Sequence, residues 1–387
     1  MSTIKVQNIQ HTGSSTNAIA LASDGTCTAN LTNRTNKNLI INGACLVNQR
    51  GSSSTSGGYQ TVDRISFNTS GQDEALTQAQ ADVASGTTPY TLGLRKAFKV
   101  TNGNQTSGAG AADYAFMFYG FEAQDLVNSG WNYNSASSYV TLSFWIKSSV
   151  AKSFKGYFMT NDGSDYSYAF DTGSLSADTW TKVTKTISGN SNITINNDNG
   201  LGLGLYFWPY IGTNYTASSA TEDAWVAHNG SARTKDDTST WWTTNDATLE
   251  FTGFQLEVRS VATDFEHRSF AQELDLCQRY YFVHMPSGRQ NANLGIGGYT
   301  GSGNQFELAV RFPKPMRAAP SLEQSTGTDY FAVYLNNTTE TFDSFAADQL
   351  QPESTGIITS SAGSHGGKVG RARMNNASAS IAFSAEL

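Results

Sequence analysis

LGLGLYFW, residues 201–208, places Leu201, Leu203, Leu205 and Phe207 on one parity and Gly202, Gly204, Tyr206 and Trp208 on the other. Successive side chains of a strand point to opposite faces, so a period of two marks a strand with one face in a core. The same period recurs on both sides. In YVTLSFWIKSS (139–149), Val140, Leu142, Phe144 and Ile146 share a face opposite Thr141, Ser143 and Lys147. In ATLEFTGFQLEV (247–258), Leu249 and Phe251 hold one parity, then Phe254, Leu256 and Val258 hold the other. The slip falls at Gly253, as a β-bulge requires. YAFMFYGF (114–121) is apolar on both parities and reads as a strand covered on both sides. Such segments, separated by Gly, Asn and Asp turns, predict an all-β sandwich of jelly-roll type.

Composition agrees. Charged residues make up 15% of the 387 positions, against about 25% in typical globular chains, so polarity comes from hydroxyls, amides and backbone. Aromatics at 12% argue against disorder, and 7 Pro without a Gly-x-y period exclude collagen. A net charge of −7 and a pI near 5.3 argue against nucleic acid as a partner. Cys27, Cys45 and Cys277 form no CxxC pair and allow at most one disulfide. With five scattered His they give no zinc spacing. The start, MSTIKVQNIQ, lacks the apolar core of a signal peptide. Leu201 to Ile211, the longest apolar stretch, is broken by glycines and far short of about 20 residues, so no membrane span is expected. No repeat of 20–50 residues supports a propeller or solenoid.

Residues 1–37 are lean, with Ile4, Val6, Ile9 and Ala18–Leu21 as their apolar content. A segment below about 40 residues rarely holds a core alone, so an extended arm that pairs with another chain is expected. Residues 38–281 form the sandwich and end in a short helix. There Ser269 and Gln272 make a capping box, with Phe270, Leu274, Cys277 and Tyr281 at helical spacing. Glu74–Val83 is a weaker helical candidate. Residues 282–387 form a smaller β domain. In it QFELAVRF alternates Phe306, Leu308, Val310 and Phe312, and the tail alternates Ala379, Ile381, Phe383, Ala385 and Leu387.

Few residues suggest chemistry. His267 and Ser269 lie together in DFEHRSFAQE, but no G-x-S-x-G elbow precedes them. Glu222-Asp223 and Asp236-Asp237 flank tryptophans and could serve sugar cleavage, although adjacent carboxylates usually mark solvated turns. NDGSD (161–165) and NNDNG (196–200) are compatible with a structural Ca²⁺ and more simply read as tight turns. No catalytic residue, cofactor or metal site is expected.

The aromatic cluster is the stronger signal. Trp208, Tyr210, Tyr215, Trp225, Trp241 and Trp242 fall within 35 residues otherwise rich in Thr, Ser, Asn, Gly and Asp. Flat rings beside amides and short acids suit stacking on a sugar. The competing reading is core packing, since Trp is highly buried on average. The candidate carbohydrate contacts are Trp208, Tyr206, Tyr210, Trp225, Trp241 and Trp242. Trp208 leads because it shares its face with Gly202 and Gly204.

The chain resembles tail-fibre or receptor-binding virion proteins of tailed phages, especially those infecting marine cyanobacteria. The matching stretches are NLIINGACLVNQRG (38–51), Asp63-Arg64, LSFWIKSS (142–149), TWTKVTKTISG (179–189), NNDNGLGLGL (196–205), FTGFQLEVRSVATDFEHRSFAQELDLCQRYY (251–281) and MRAAPS (316–321). They cover residues 38 to about 321, and the block at 251–281 is the most specific. Departures at Cys45, Ile65, Arg259 and Asp264 touch packing and turn positions. The resemblance implies a jelly roll similar to carbohydrate-binding modules, a homotrimer, and a place in the virion. It further implies an N-terminal arm tied to other tail proteins and a host-surface glycan or receptor as ligand. It supplies no catalytic motif. The rival functions are a purely structural fibre component and a polysaccharide-degrading tailspike.

Overall fold

Alternation along Leu201–Ile211 becomes two environments in the computed structural model, which describes residues 6–10, 12–13, 18–21, 23, 27–29, 35–300, 303–335 and 338–387. Leu203, Leu205 and Phe207 enter the main core, while Tyr206 and Trp208 lie on the other face of the sheet. The strand sits inside a six-stranded sheet. Its spatial order is Trp225–Ala227, Tyr166–Asp171, Lys155–Thr160, Leu201–Ile211, Tyr114–Glu122, Ser66–Ser70. The opposing sheet runs Thr181–Ser188, Tyr139–Ser148, Thr248–Glu257, Lys96–Thr101, Thr77–Asp82, Ser53–Ser54. Neighbouring strands are antiparallel throughout both sheets. The chain is therefore an all-β jelly-roll sandwich.

Rings interdigitate across the gap. Phe207 meets Phe144 edge-on at 5.8 Å and Phe251 at 4.7 Å, contacts each worth about 0.5–1.5 kcal/mol beyond area burial. The bulge expected at Gly253 is present. Register against Trp145 and Ser143 shifts between Thr252 and Gln255, and Gly253 takes φ +65°. That left-handed geometry costs Gly nothing, and it lets both Phe251 and Phe254 point inward, 5.6 Å apart. Tyr114–Glu122 is covered on both faces: Met117, Tyr119 and Phe121 point to the core, with Phe116 packed on the other side.

Two helical expectations change. The predicted helix spans Phe270–Cys277 and carries its capping box, Ser269 Oγ accepting from the Gln272 N–H while Gln272 Oε1 accepts from the Ser269 N–H. It docks through Glu273 and Cys277, however. Phe270 is 57% exposed, and Tyr281 opens the strand Tyr281–Met285 instead of extending the helical stripe. The Glu74–Val83 candidate is wrong: Thr77–Asp82 is a strand paired with Lys96–Thr101. Its short, polar TQAQAD sequence hides the alternation, and pairing with KAFKVT decides the conformation.

A second core is drawn from Phe306, Leu308, Val310, Phe331, Val333, Ile381 and Phe383. One of its sheets has three strands, Tyr281–Met285, Ser380–Ser384 and Ser321–Ser325. The other has seven: Thr338–Phe342, Phe331–Leu335, Val369–Met374, Asn293–Tyr299, Phe306–Arg311, Ser354–Thr359 and Phe345–Asp348. Arginines join this unit to the sandwich. Arg64, 1% exposed, pairs with Glu386 and lies 3.4 Å from the Tyr280 ring centroid. Arg50 reaches Glu386 at 3.2 Å, and Arg317 donates to Asn199 O at 2.7 Å. Cys45 and Cys277 are buried free thiols. Of the 1–37 arm, Asn8–Ile9, Ile19–Leu21 and Cys27–Ala29 pair as a small sheet, and much of the remainder lies outside the described residues. Val6, Ile9 and Leu21 are exposed apolar side chains.

Candidate functional site

The indole expected to be open is closed. Trp208 points to the outer face but is 1% exposed. It packs against Phe116 at 4.9 Å, Tyr114 at 5.9 Å and Tyr157 at 6.1 Å, with the Arg233 guanidinium 5.8 Å above its ring. The reason is the segment after the strand, which doubles back. The Arg233 N–H donates to Tyr215 O at 2.8 Å, and Thr216 bridges Thr234, bringing Tyr215 and Arg233 over the sheet. Nor does Gly204 leave room for a sugar: a Cβ there would lie 2.9 Å from both Phe118 Cε2 and Tyr206 Cε2.

The other candidates separate. Trp241 and Trp242 are wholly buried in the main core, their N–H groups donating to Thr248 O (3.2 Å) and Gly108 O (3.0 Å). Trp225 is buried, meets Tyr168 edge-on at 5.6 Å and donates to Ser188 O at 2.7 Å. Tyr210 is buried 5.2 Å from Trp242. These four rings, with Trp208, are packing residues rather than an open stacking surface. Tyr206 alone is half-exposed, stacked on Tyr157 at 4.7 Å and 16°. Burial pushes the Tyr157 hydroxyl up from the usual phenol value, against the opposing pull of Arg233.

The acidic pairs are engaged. Glu222 takes ion pairs from Lys155 (3.1 Å) and Lys235 (3.3 Å), and Asp237 is paired with Lys152 at 2.8 Å. Asp236 accepts from Thr216 at 2.9 Å, and Asp223 lies 3.4 Å from Lys185. The two Asn/Asp loops lock each other, since both carboxylate oxygens of Asp162 accept at 2.8 Å from Asn196. Ser269 is occupied by its capping role, and His267 Nε2 sits 2.8 Å from Leu92 O.

A different feature lies on the outer face of the opposing sheet. A groove of about 260 Å³ has Trp145 and Ser143 in its floor, with Gly253 beside them. Leu92, Leu94 and residues 263–267 wall one side, and Lys182 flanks it. The floor follows from strand parity, because Phe144 and Ile146 face the core and turn Trp145 outward. Lys182 stands opposite Trp145 on the edge strand, with Thr252 on the other side. The bulge keeps the groove open, since a Cβ on Gly253 would sit 2.8 Å from Leu94 Cδ1 and 3.4 Å from Trp145 Cδ1. Bulges commonly re-aim groups at functional sites. The wall is pinned at two points. Gln255 Nε2 donates to Asp264 O (3.3 Å) and Lys37 Nζ to Thr263 Oγ1 (2.6 Å), while within the wall the His267 ring meets Phe265 edge-on at 5.0 Å. Neither Lys182 nor the Asp264 carboxylate forms an ion pair among the described residues.

This combination of a half-exposed indole, an uncommitted donor and an uncommitted acceptor is what sequence reading missed. A signal was available, because Trp145 is a large aromatic at the outward parity of a strand whose other outward residues are Thr141, Ser143 and Lys147.

No family model matches the chain, and no curated protein does. Among solved structures, the enzymatically active domain of bacteriophage CBA120 tailspike protein 4 is similar at 8% identity and a TM-score of 0.31. The match covers 57% of this chain and 21% of that one. A family 11 carbohydrate-binding module from Clostridium thermocellum is similar at 10% identity and a TM-score of 0.25, covering 56% and 98%. The tandem CBM22-1–CBM22-2 domain of Paenibacillus barcinonensis Xyn10C is similar at 10% and 0.25, covering 92% and 100%. This chain thus spans about a fifth of the tailspike domain's length. Values of this size leave the function of the groove to be read from its own residues.

Proposed function

We propose that this chain is a non-enzymatic glycan-binding component of a phage tail fibre, and that its ligand lies in the Trp145 groove. The observation that carries the glycan reading is the half-exposed Trp145 ring between unpaired Lys182 and Asp264. A pyranose can stack its C–H face on the indole while its hydroxyls bond to the ammonium, the carboxylate and the Ser143 hydroxyl. The fibre part of the reading rests on the resemblance of residues 38 to about 321. Within it the protein is a homotrimer whose arm attaches to other tail proteins, and exposed Val6, Ile9 and Leu21 offer that arm apolar contacts.

Two observations weigh against a degrading tailspike at the carboxylates singled out in the sequence. Glu222 and Asp237 are held by lysines, and Asp237 lies buried with its partner. The reading is tested by applying the purified full chain to an array of surface polysaccharides, alongside light scattering. Retention of specific glycans without chain cleavage, by a particle three times 41.6 kDa, is expected. Absence of binding would leave a structural fibre role, a stable monomer would remove the trimer, and depolymerisation would overturn the non-enzymatic reading.

A further inference from the structure

We infer that the groove selects acidic sugars, with the carboxylate of a uronic acid seated against Lys182 and its ring on Trp145. This rests on the glycan reading above and names the class of ligand. The position of charge carries it. Trp145 has different chemistry on its two sides. Toward the sheet edge stands Lys182, exposed and unpaired. Toward the interior of the sheet stand the bulge and the 263–267 wall, placed there because Gln255 and Asp264 are bonded. Asp264, whose carboxylate forms no ion pair among the described residues, thus belongs to a wall anchored through its backbone carbonyl on the strand that lies across Trp145 from Lys182.

The next row of outward residues strengthens the asymmetry. Lys147 pairs with Glu250 at 3.0 Å, and Glu250 stands opposite Lys99 on the adjoining strand. Glu250 is thus committed to Lys147, and Lys99 has no ion pair among the described residues. A chain whose net charge is −7 places two uncommitted ammonium groups on the face that bears its exposed groove. An acidic protein repels a polyanion at long range, so attraction must come from such a local cluster. A neutral sugar gives Lys182 only a hydroxyl acceptor. A uronate gives it a charge-assisted hydrogen bond, roughly twice as strong, while its uncharged hydroxyls remain for Asp264.

The test compares the full-length protein on two probes, oligogalacturonate and the same oligomer after carboxyl reduction, by titration calorimetry. Wild type should bind the acidic oligomer about tenfold more tightly, in line with hydrogen bonds to charged groups. The advantage should shrink as salt rises from about 0.05 to 0.5 M. Lys182→Ala should abolish that preference, weakening the acidic oligomer about tenfold more than the reduced one. Lys182→Arg should keep it, and Trp145→Ala should weaken both probes alike. Equal binding of both probes by wild type, or an intact preference in Lys182→Ala, would overturn the acidic-sugar inference while leaving glycan binding standing. Absence of binding to either probe would overturn both.

Discussion

Lys182 and Trp145 face each other across neighbouring antiparallel strands, the ammonium at the sheet edge and the indole one strand inward. The pairing follows from alternation. Once Val183 and Phe144 enter the core, their neighbours Lys182 and Trp145 must both turn outward. The fold therefore places a flat apolar ring and a cation together without local strain. The bulge at Gly253 then keeps that ring uncovered.

Gly253 should tolerate no side chain without cost. Its φ of +65° is strained for other residues, and the contact with Leu94 adds to that. Gly253→Ala should lose about 1–3 kcal/mol in urea unfolding and weaken glycan binding by narrowing the groove. An unchanged midpoint would contradict the role given to the bulge.

The fully buried tryptophans should behave oppositely to an open site. Trp208→Ala and Trp241→Ala should each lose about 3–5 kcal/mol of stability, measured by denaturant unfolding. A loss below about 1 kcal/mol at Trp208 would reopen that ring as a surface residue.

Alternation made both faces of Leu201–Ile211 legible, and the capping box and phase slip were local enough to read directly. What escaped was what covers each face. Trp208 is shielded by Tyr215 and Arg233, which return through a loop whose path no period encodes. The groove wall likewise comes from Leu92, Leu94 and residues 263–267, far from Trp145 in sequence. Glycines beside Trp208 suggested open space, yet at Gly204 that space is taken by two rings. Phe270 failed as a docking residue because its helix is held through polar Glu273, which accepts from the Asn42 N–H at 2.7 Å.

Asp63 should impose a pH dependence on stability. Burial pushes its carboxyl up to about 6 in the folded protein, against hydrogen bonds from Gln49, while the ordinary value is 3.8. Between those values the folded state holds a proton that the unfolded chain has released, so stability falls as pH rises through the window. The fall should be on the order of 2–3 kcal/mol from pH 4 to 6.5, and Asp63→Asn should lack it. Urea midpoints at both pH values check this, since parallel shifts in the two proteins would contradict it.

The most direct test of the groove is Trp145→Ala in the full-length protein, with host-cell or glycan adsorption and thermal melting measured on the same sample. A ring that stacks on a sugar should act as a binding hot spot, worth at least about 2 kcal/mol or roughly 30-fold in affinity. The melting temperature should stay close to wild type, because the ring is only half-buried. Undiminished adsorption by a stable Trp145→Ala protein would contradict the assignment of this groove as the glycan site.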